Sequence, residues 1–176
     1  MADRGHRREP EIALRRPRDD GPRGEVLVFA LAGELHAAAV REIREILRPP
    51  PLTRVPRAPT GVLGVVSVRG RLVTVVDPRR ALGLDAPAPT GRSRVVLVET
   101  DDGEVIGVYV DEVRRVDRLA EGDIEPPAAS LGSDVAPHVT GIARPKRPGA
   151  TGSDARPPAI VLVDLVALIG AARKGA

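Results

Sequence analysis

The segment Gly33-Glu34-Leu35-His36-Ala37-Ala38-Ala39-Val40-Arg41-Glu42-Ile43 returns as Gly103-Glu104-Val105-Ile106-Gly107-Val108-Tyr109-Val110-Asp111-Glu112-Val113, without gaps and 70 positions later. The run before it matches as well, Val26 to Leu31 against Val95 to Thr100. Further on, Gly64-Val65 recurs as Gly141-Ile142, and Val75-Val76-Asp77 with Leu82-Gly83 recurs as Leu162-Val163-Asp164 with Ile169-Gly170. Two copies of one module in the same order predict two similar subdomains, about 25–85 and 94–170, joined by a linker at 85–91. Each copy is small for an independent core, so the two are expected to pack together and share apolar surface.

The module reads as β-rich. Val, Leu, Ala and Ile supply nearly all of a 42% hydrophobic content, and Phe29 and Tyr109 are the only aromatics. Branched and small side chains of this kind suit pleated sheets. Val26 to Leu31 is a continuous apolar run, as expected of a strand buried on both faces. A turn at Ala32-Gly33-Glu34 leads into a second strand over Leu35 to Val40. Arg41 to Leu47 fits either a helical turn or an edge strand, and Pro49-Pro50-Pro51 ends it. Arg79 to Leu84 reads as one helical turn, with Asp77 as N-cap, Pro78 at the first helical position and Gly83 as the stop.

Gly64 to Asp77 reads as a hairpin with a tight Arg69-Gly70 corner. Gly70 supplies the positive φ such a corner needs. The arrangement places a cation at the tip of an apolar hairpin. The second copy has no such corner; a long stretch rich in Pro, Gly and charge, Arg144-Pro145 to Pro157-Pro158, stands there and is expected to be a mobile loop.

Charge and composition exclude several classes. Residues 1–24 hold seven Arg against five acids, out of 27 basic and 24 acidic residues in all. The remaining twenty bases and nineteen acids make a near-neutral body, despite a pI of about 10.1. A mixed-sign body is not an electrostatic footprint for phosphate, and stacking aromatics are missing, so no nucleic-acid partner is expected. The start of the chain reads as a disordered basic leader, residues 1–24, without an apolar signal region. No stretch approaches the roughly 20 apolar residues that cross a bilayer, so no membrane insertion is expected. With no Cys, neither disulfides nor thiolate metal sites can form.

Catalytic patterns are also missing. His6, His36 and His138 stand far apart and outside any metal-ligand spacing. His36 aligns with Ile106, so a core position is the simpler reading. Gly61-Val62-Leu63-Gly64 has neither the spacing nor the Lys of a phosphate loop. Asp77, Asp111 and Asp164 all follow apolar strands; Asp77 and Asp164 are repeat equivalents, and helix capping accounts for them better than an acid cluster. No enzyme and no cofactor are expected, and function falls to surfaces: the Arg69 corner, the Ile43-Arg44-Glu45-Ile46 segment and the cleft between copies.

From about Val26 to Gly170 the chain resembles the CheW family, the coupling proteins of bacterial chemosensory arrays. The resemblance lies in Phe29-Ala30-Leu31 with Gly33-Glu34, Val40 to Ile46, Thr53-Arg54-Val55-Pro56 with Ala58-Pro59, and Gly64 to Val68 with Arg69-Gly70. It continues in Val75-Val76-Asp77 before Arg79, Gly107 to Val113, Gly141-Ile142-Ala143-Arg144, and Ile160 to Ile169. It implies a mainly β fold of two intertwined SH3-like five-stranded barrels with a few short helical turns, residues 171–176 being a tail. It also implies a cytoplasmic adaptor joining chemoreceptor tips to the regulatory domain of a CheA-type histidine kinase. By position Arg69 and Gly70 match the family's Asn-Leu-Arg-Gly motif and Glu45 its Glu-Ile glutamate, both associated with array contacts, while Ile43 and Val68 would line a groove for the receptor tip. The second barrel's exposed strands would meet the kinase domain. Ser67, Thr74, Pro78 and His138 depart from the family pattern, which leaves room for an accessory adaptor of a surface-motility or developmental pathway. A small-barrel nucleic-acid binder using the Arg leader is the remote alternative.

Overall fold

The computed structural model describes residues 24–127, 135–144 and 158–174. The expected leader, apart from Gly24, nearly all of the expected mobile loop, and residues 175–176 lie outside the described residues. The elements in chain order are β1 (Gly24–Leu31), β2 (Glu34–Ala39), β3 (Ile43–Leu47), β4 (Val62–Val68), β5 (Arg71–Val76), α1 (Pro78–Ala81), β6 (Arg94–Glu99), β7 (Val105–Val110), β8 (Glu112–Leu119), β9 (Ile124–Glu125), β10 (Val139–Ala143), β11 (Ile160–Val163) and α2 (Leu165–Lys174). Short 3-10 turns precede β3 and β9. The ambiguous 41–47 stretch therefore resolves as a turn followed by a strand. The final helix runs past Gly170 to Lys174 and buries Ala172.

The strands form two sheets, ordered β8-β1-β2-β11-β10-β9 and β3-β6-β7-β5-β4. The repeat equates β1 with β6, β2 with β7, β3 with β8, β4 with β10 and β5 with β11. In those terms the two sheets have the same order, and each copy keeps its first two strands while its last three join the other copy's sheet. Both exchanges close with a parallel pair, β11 on β2 and β5 on β7. The halves of the sequence are thus not the bodies in space, and this exchange is the physical form of the expected intertwining. The first sheet has a sixth strand because β9 pairs with β10. Its counterpart in the other sheet is a single bridge from Thr53 to Val65 on β4. Both sheets are open in their hydrogen-bonded order.

Period-two burial sorts the apolar run of β1 into two cores. Leu27, Phe29 and Leu31 face a central core between the sheets, shared with Val96, Val98, Ile106, Val108, Leu165 and Leu168. Val26 and Val28 face an inner core with Ala37, Ile160 and Leu162. On β6, Val95 and Leu97 turn to a third core with Val66, Val75 and Tyr109, inside the five-stranded sheet. Having apolar neighbours on both faces is why these strands carry no alternation. The equivalent glycines Gly64 and Gly141 sit at equivalent bulges. At Gly64 a Cβ would lie 2.3 Å from the Thr53 carbonyl oxygen, so only glycine lets the Thr53 segment seat on β4.

Candidate functional site

The β4–β5 hairpin closes through a two-residue loop, since Val68 pairs with Arg71. Arg69 has φ 50° and Gly70 φ 79°, the pair of left-handed residues that a type I′ turn requires. Glycine was legible as the corner residue. That Arg69 also adopts the left-handed region was not, because local preference favours Asn or Gly there. Holding a bulky side chain in that region costs roughly 1–2 kcal/mol.

Arg69 Nη2 donates a 2.9 Å hydrogen bond to Glu45 Oε1. The Arg69 side chain is 79% exposed and that of Glu45 32%, so this is a surface ion pair on the open side of the molecule. β3 and β4 are the two outer strands of their sheet. A bond from the β4–β5 corner to Glu45 on β3 therefore brings the ends of the sheet together. Leu47 of β3 and Val68 of β4 both packing against the core inside this sheet agrees with that.

Of the expected site residues, Arg69, Gly70 and Glu45 converge on this corner. Ile43 and Val68 are both half-buried and pack on different cores. Ile43 packs against the central core, whereas Val68 packs against the core inside the five-stranded sheet. Glu42, immediately before Ile43, turns inward instead: its Oε2 accepts from Leu165 N at 3.1 Å, at the start of α2. Asp164 caps the same helix by accepting from Ala167 N at 2.9 Å, as its repeat equivalent Asp77 accepts from Arg79 N at 3.0 Å.

One charged cluster was missed from sequence. Arg79, only 4% exposed, donates through Nε and Nη2 to the two Asp77 oxygens, both at 2.8 Å, and through Nη1 to Asp111 Oδ1 at 2.7 Å. Nη1 also reaches the Pro87 carbonyl at 3.2 Å, and the guanidinium lies 5.0 Å from the Tyr109 ring centroid. Asp111 Oδ2 accepts from Ala32 N at 2.6 Å. The hydrogen bonds to Asp77 hold the Arg79 pKa above its ordinary value against the desolvation that opposes them. The cluster ties α1, the linker, the β7–β8 corner and the β1–β2 turn into one joint. Asp77 and Asp111 were visible as strand-end acids; the signal that could have joined them was Arg79, two residues after Asp77.

His36 and His138 are buried, at 2% and 5% exposure, and His36 stacks on Phe29 with ring centroids 6.1 Å apart. Burial depresses both pKa values. Among the described residues no three His, Cys, Asp or Glu side chains are grouped to hold a metal ion. No helix among them is long and apolar enough to cross a membrane.

Two sheets that exchange strands reciprocally define a fold of duplicated, intertwined β-modules. The chain belongs to the CheW family: the CheW-like domain model matches residues 25–172. It is 33% identical over 102 residues to the chemotaxis protein CheW of Rhizobium meliloti, covering 58% of this chain and 65% of that protein. It is 33% identical over 123 residues to protein FrzA of Myxococcus xanthus, covering 69% of this chain and 74% of that one. The matched stretch spans a little under two thirds of the first chemotaxis relatives, 62% to 65% of their length. The fold is similar to that of the scaffolding protein TtCheW from Thermoanaerobacter tengcongensis, with TM-score 0.67, 28% identity, and coverage of 83% of this chain and 92% of that one.

Proposed function

We propose that this protein is a non-enzymatic adaptor that couples the cytoplasmic tip of a chemoreceptor to the regulatory domain of a CheA-type histidine kinase, in the cytoplasm at a receptor array. The observation that carries the reading is the Arg69–Glu45 pair, 2.9 Å apart at an exposed corner although 24 positions apart in sequence. Both positions match family motifs associated with array contacts. Glu45 takes one Nη atom of the guanidinium and aims the rest of the fork outward. Such a fork reads a carboxylate or a helix-end carbonyl on a partner helix laid beside the hairpin. The strained backbone of Arg69 is a further support, since such strain persists where a side chain must be presented in one direction.

Arg69→Ala tests it. Pull-down or calorimetry with a purified receptor cytoplasmic fragment is expected to show binding weakened by about tenfold or more, with thermal stability within about 2 °C of wild type. Unchanged receptor binding removes Arg69 from this role. Titration with the purified kinase regulatory domain separates the two adaptor readings, because an accessory adaptor of a surface-motility pathway would bind the receptor and not that kinase domain.

A further inference from the structure

Between Glu45 and Asp77 the chain carries five arginines, at 48, 54, 57, 69 and 71, and no acidic residue. All five are exposed. Arg69 has Glu45 as its partner, whereas among the described residues Arg48, Arg54, Arg57 and Arg71 pair with no carboxylate. The same stretch concentrates apolar exposure: Ile46 at 39%, Leu52 at 38%, Val55 at 43% and Leu72 at 78% are four of the five exposed large hydrophobic residues among the described residues. One exposed Leu is ordinary; four in one short span interleaved with unpartnered guanidiniums are not.

Backbone pairing sets these residues on neighbouring segments of the five-stranded sheet. Thr53 exchanges backbone hydrogen bonds of 2.9 and 2.8 Å with Val65, which seats the 52–55 segment along the outer edge of β4. Val65 in turn pairs with Thr74, two residues from Leu72. The Arg69–Glu45 bond brings β3, with Ile46 and Arg48 following, to the other side of the corner. The segment is also stiff. Pro49, Pro50, Pro51, Pro56 and Pro59 restrict it, and Arg57 sits in a turn with φ 60° closed by Ala58 N donating to Val55 O. A preformed surface loses little conformational entropy on binding.

We infer that Arg48, Arg54, Arg57 and Arg71, with Leu52, Val55 and Leu72 between them, form a docking surface for an acidic protein segment that also carries apolar side chains. Charge complementarity decides the chemistry: planar guanidiniums pair bidentately with carboxylates, and the exposed aliphatic groups are covered only by a partner that is itself partly apolar. The inference extends the adaptor reading to a second contact beside Arg69 and rests on it only for the presence of a protein partner. The test is fluorescence titration of the full-length protein with a synthetic helical peptide of Glu/Leu repeats, with a Lys/Leu peptide as control. The acidic peptide is expected to bind, with affinity falling as salt rises. The R48E/R54E/R57E/R71E variant is expected to lose roughly tenfold or more, and L52S/V55S/L72S severalfold at high salt. Arg80→Ala, at an exposed arginine of α1 outside this surface, is expected to keep peptide affinity within about twofold, and receptor-fragment binding is measured separately, so failure here and failure of the receptor contact are told apart. Equal binding by the fourfold charge-reversed variant, shown folded by circular dichroism, overturns the proposal. So does binding to phosphatidylglycerol vesicles without binding to the peptide, or self-association by light scattering that the variant abolishes while peptide binding remains.

Discussion

Arg79→Ala would expose how much of the fold depends on the buried charge joint. The substitution leaves Asp77, 3% exposed, without its guanidinium and removes the Nη1 bond to Asp111 at 2.7 Å. Breaking a buried ion pair by deleting one partner costs about 3–5 kcal/mol, mostly because a desolvated carboxylate is left uncompensated. The ring contact with Tyr109 at 5.0 Å adds roughly 0.5–1 kcal/mol. The helix cap survives, since the bond from the backbone N at position 79 to Asp77 needs no side chain. The expected loss is about 4 kcal/mol, or a fall in Tm of roughly 8–16 °C for a chain of this size. Equilibrium urea unfolding reads it, with Arg80→Ala on the exposed neighbour as a control expected within about 0.5 kcal/mol. Arg79→Lys should recover about half, because it restores the charge without the fork that spans two carboxylates. A cycle with Asp111→Asn should show coupling above about 1 kcal/mol. A loss below about 1 kcal/mol for Arg79→Ala, or no coupling to Asp111, would refute the argument that this ion cluster holds the joint.

Other substitutions probe separate parts of the structure. Gly64→Ala should destabilise by about 2 kcal/mol or more, because its Cβ meets the Thr53 carbonyl oxygen at 2.3 Å and the contact is backbone on both sides; hydrogen exchange at Val65 reports whether the bridge is lost. Gly70→Ala, with nothing within 4 Å of its Cβ, should cost only about 1 kcal/mol, from its φ of 79°. Arg69→Gly is expected to be neutral to mildly stabilising in denaturant unfolding: it relieves roughly 1 kcal/mol of left-handed strain and forfeits a surface pair worth about 0.2–1 kcal/mol. A loss above about 2 kcal/mol would make Arg69 a structural residue. His36 and His138 have folded pKa values below 6.5, so the unfolded chain binds more protons as pH falls through that value. Stability should be full above about pH 7 and decline toward pH 5.5, with urea midpoints showing the slope; a flat profile in wild type would contradict neutral burial of both rings.

Much of this molecule was legible without coordinates because its signals are local. The unalternating apolar run Val26 to Leu31 marked a strand buried on both faces, Asp77-Pro78 marked a capped helical turn, and Arg69-Gly70 marked a tight corner. The repeat marked a duplicated β-fold in which the copies share a core. Each of these depends on neighbours a few residues away, or on comparing the chain with itself. The tertiary structure alone decided the rest. That β3 pairs with β6 while β8 pairs with β1 is a choice between equally apolar edges, and only the assembly of both sheets at once selects it. That Arg79 is buried follows from carboxylates arriving from two corners, 2 and 32 positions away. That Glu45 meets Arg69 while Glu42 caps α2 follows from a 3-10 turn and a bulge that set which way β3 faces. Ile43 and Val68 face different cores for the same reason. Burial and pairing are properties of several segments at once, so a charge's fate is fixed only when the distant strands that could neutralise it are in place.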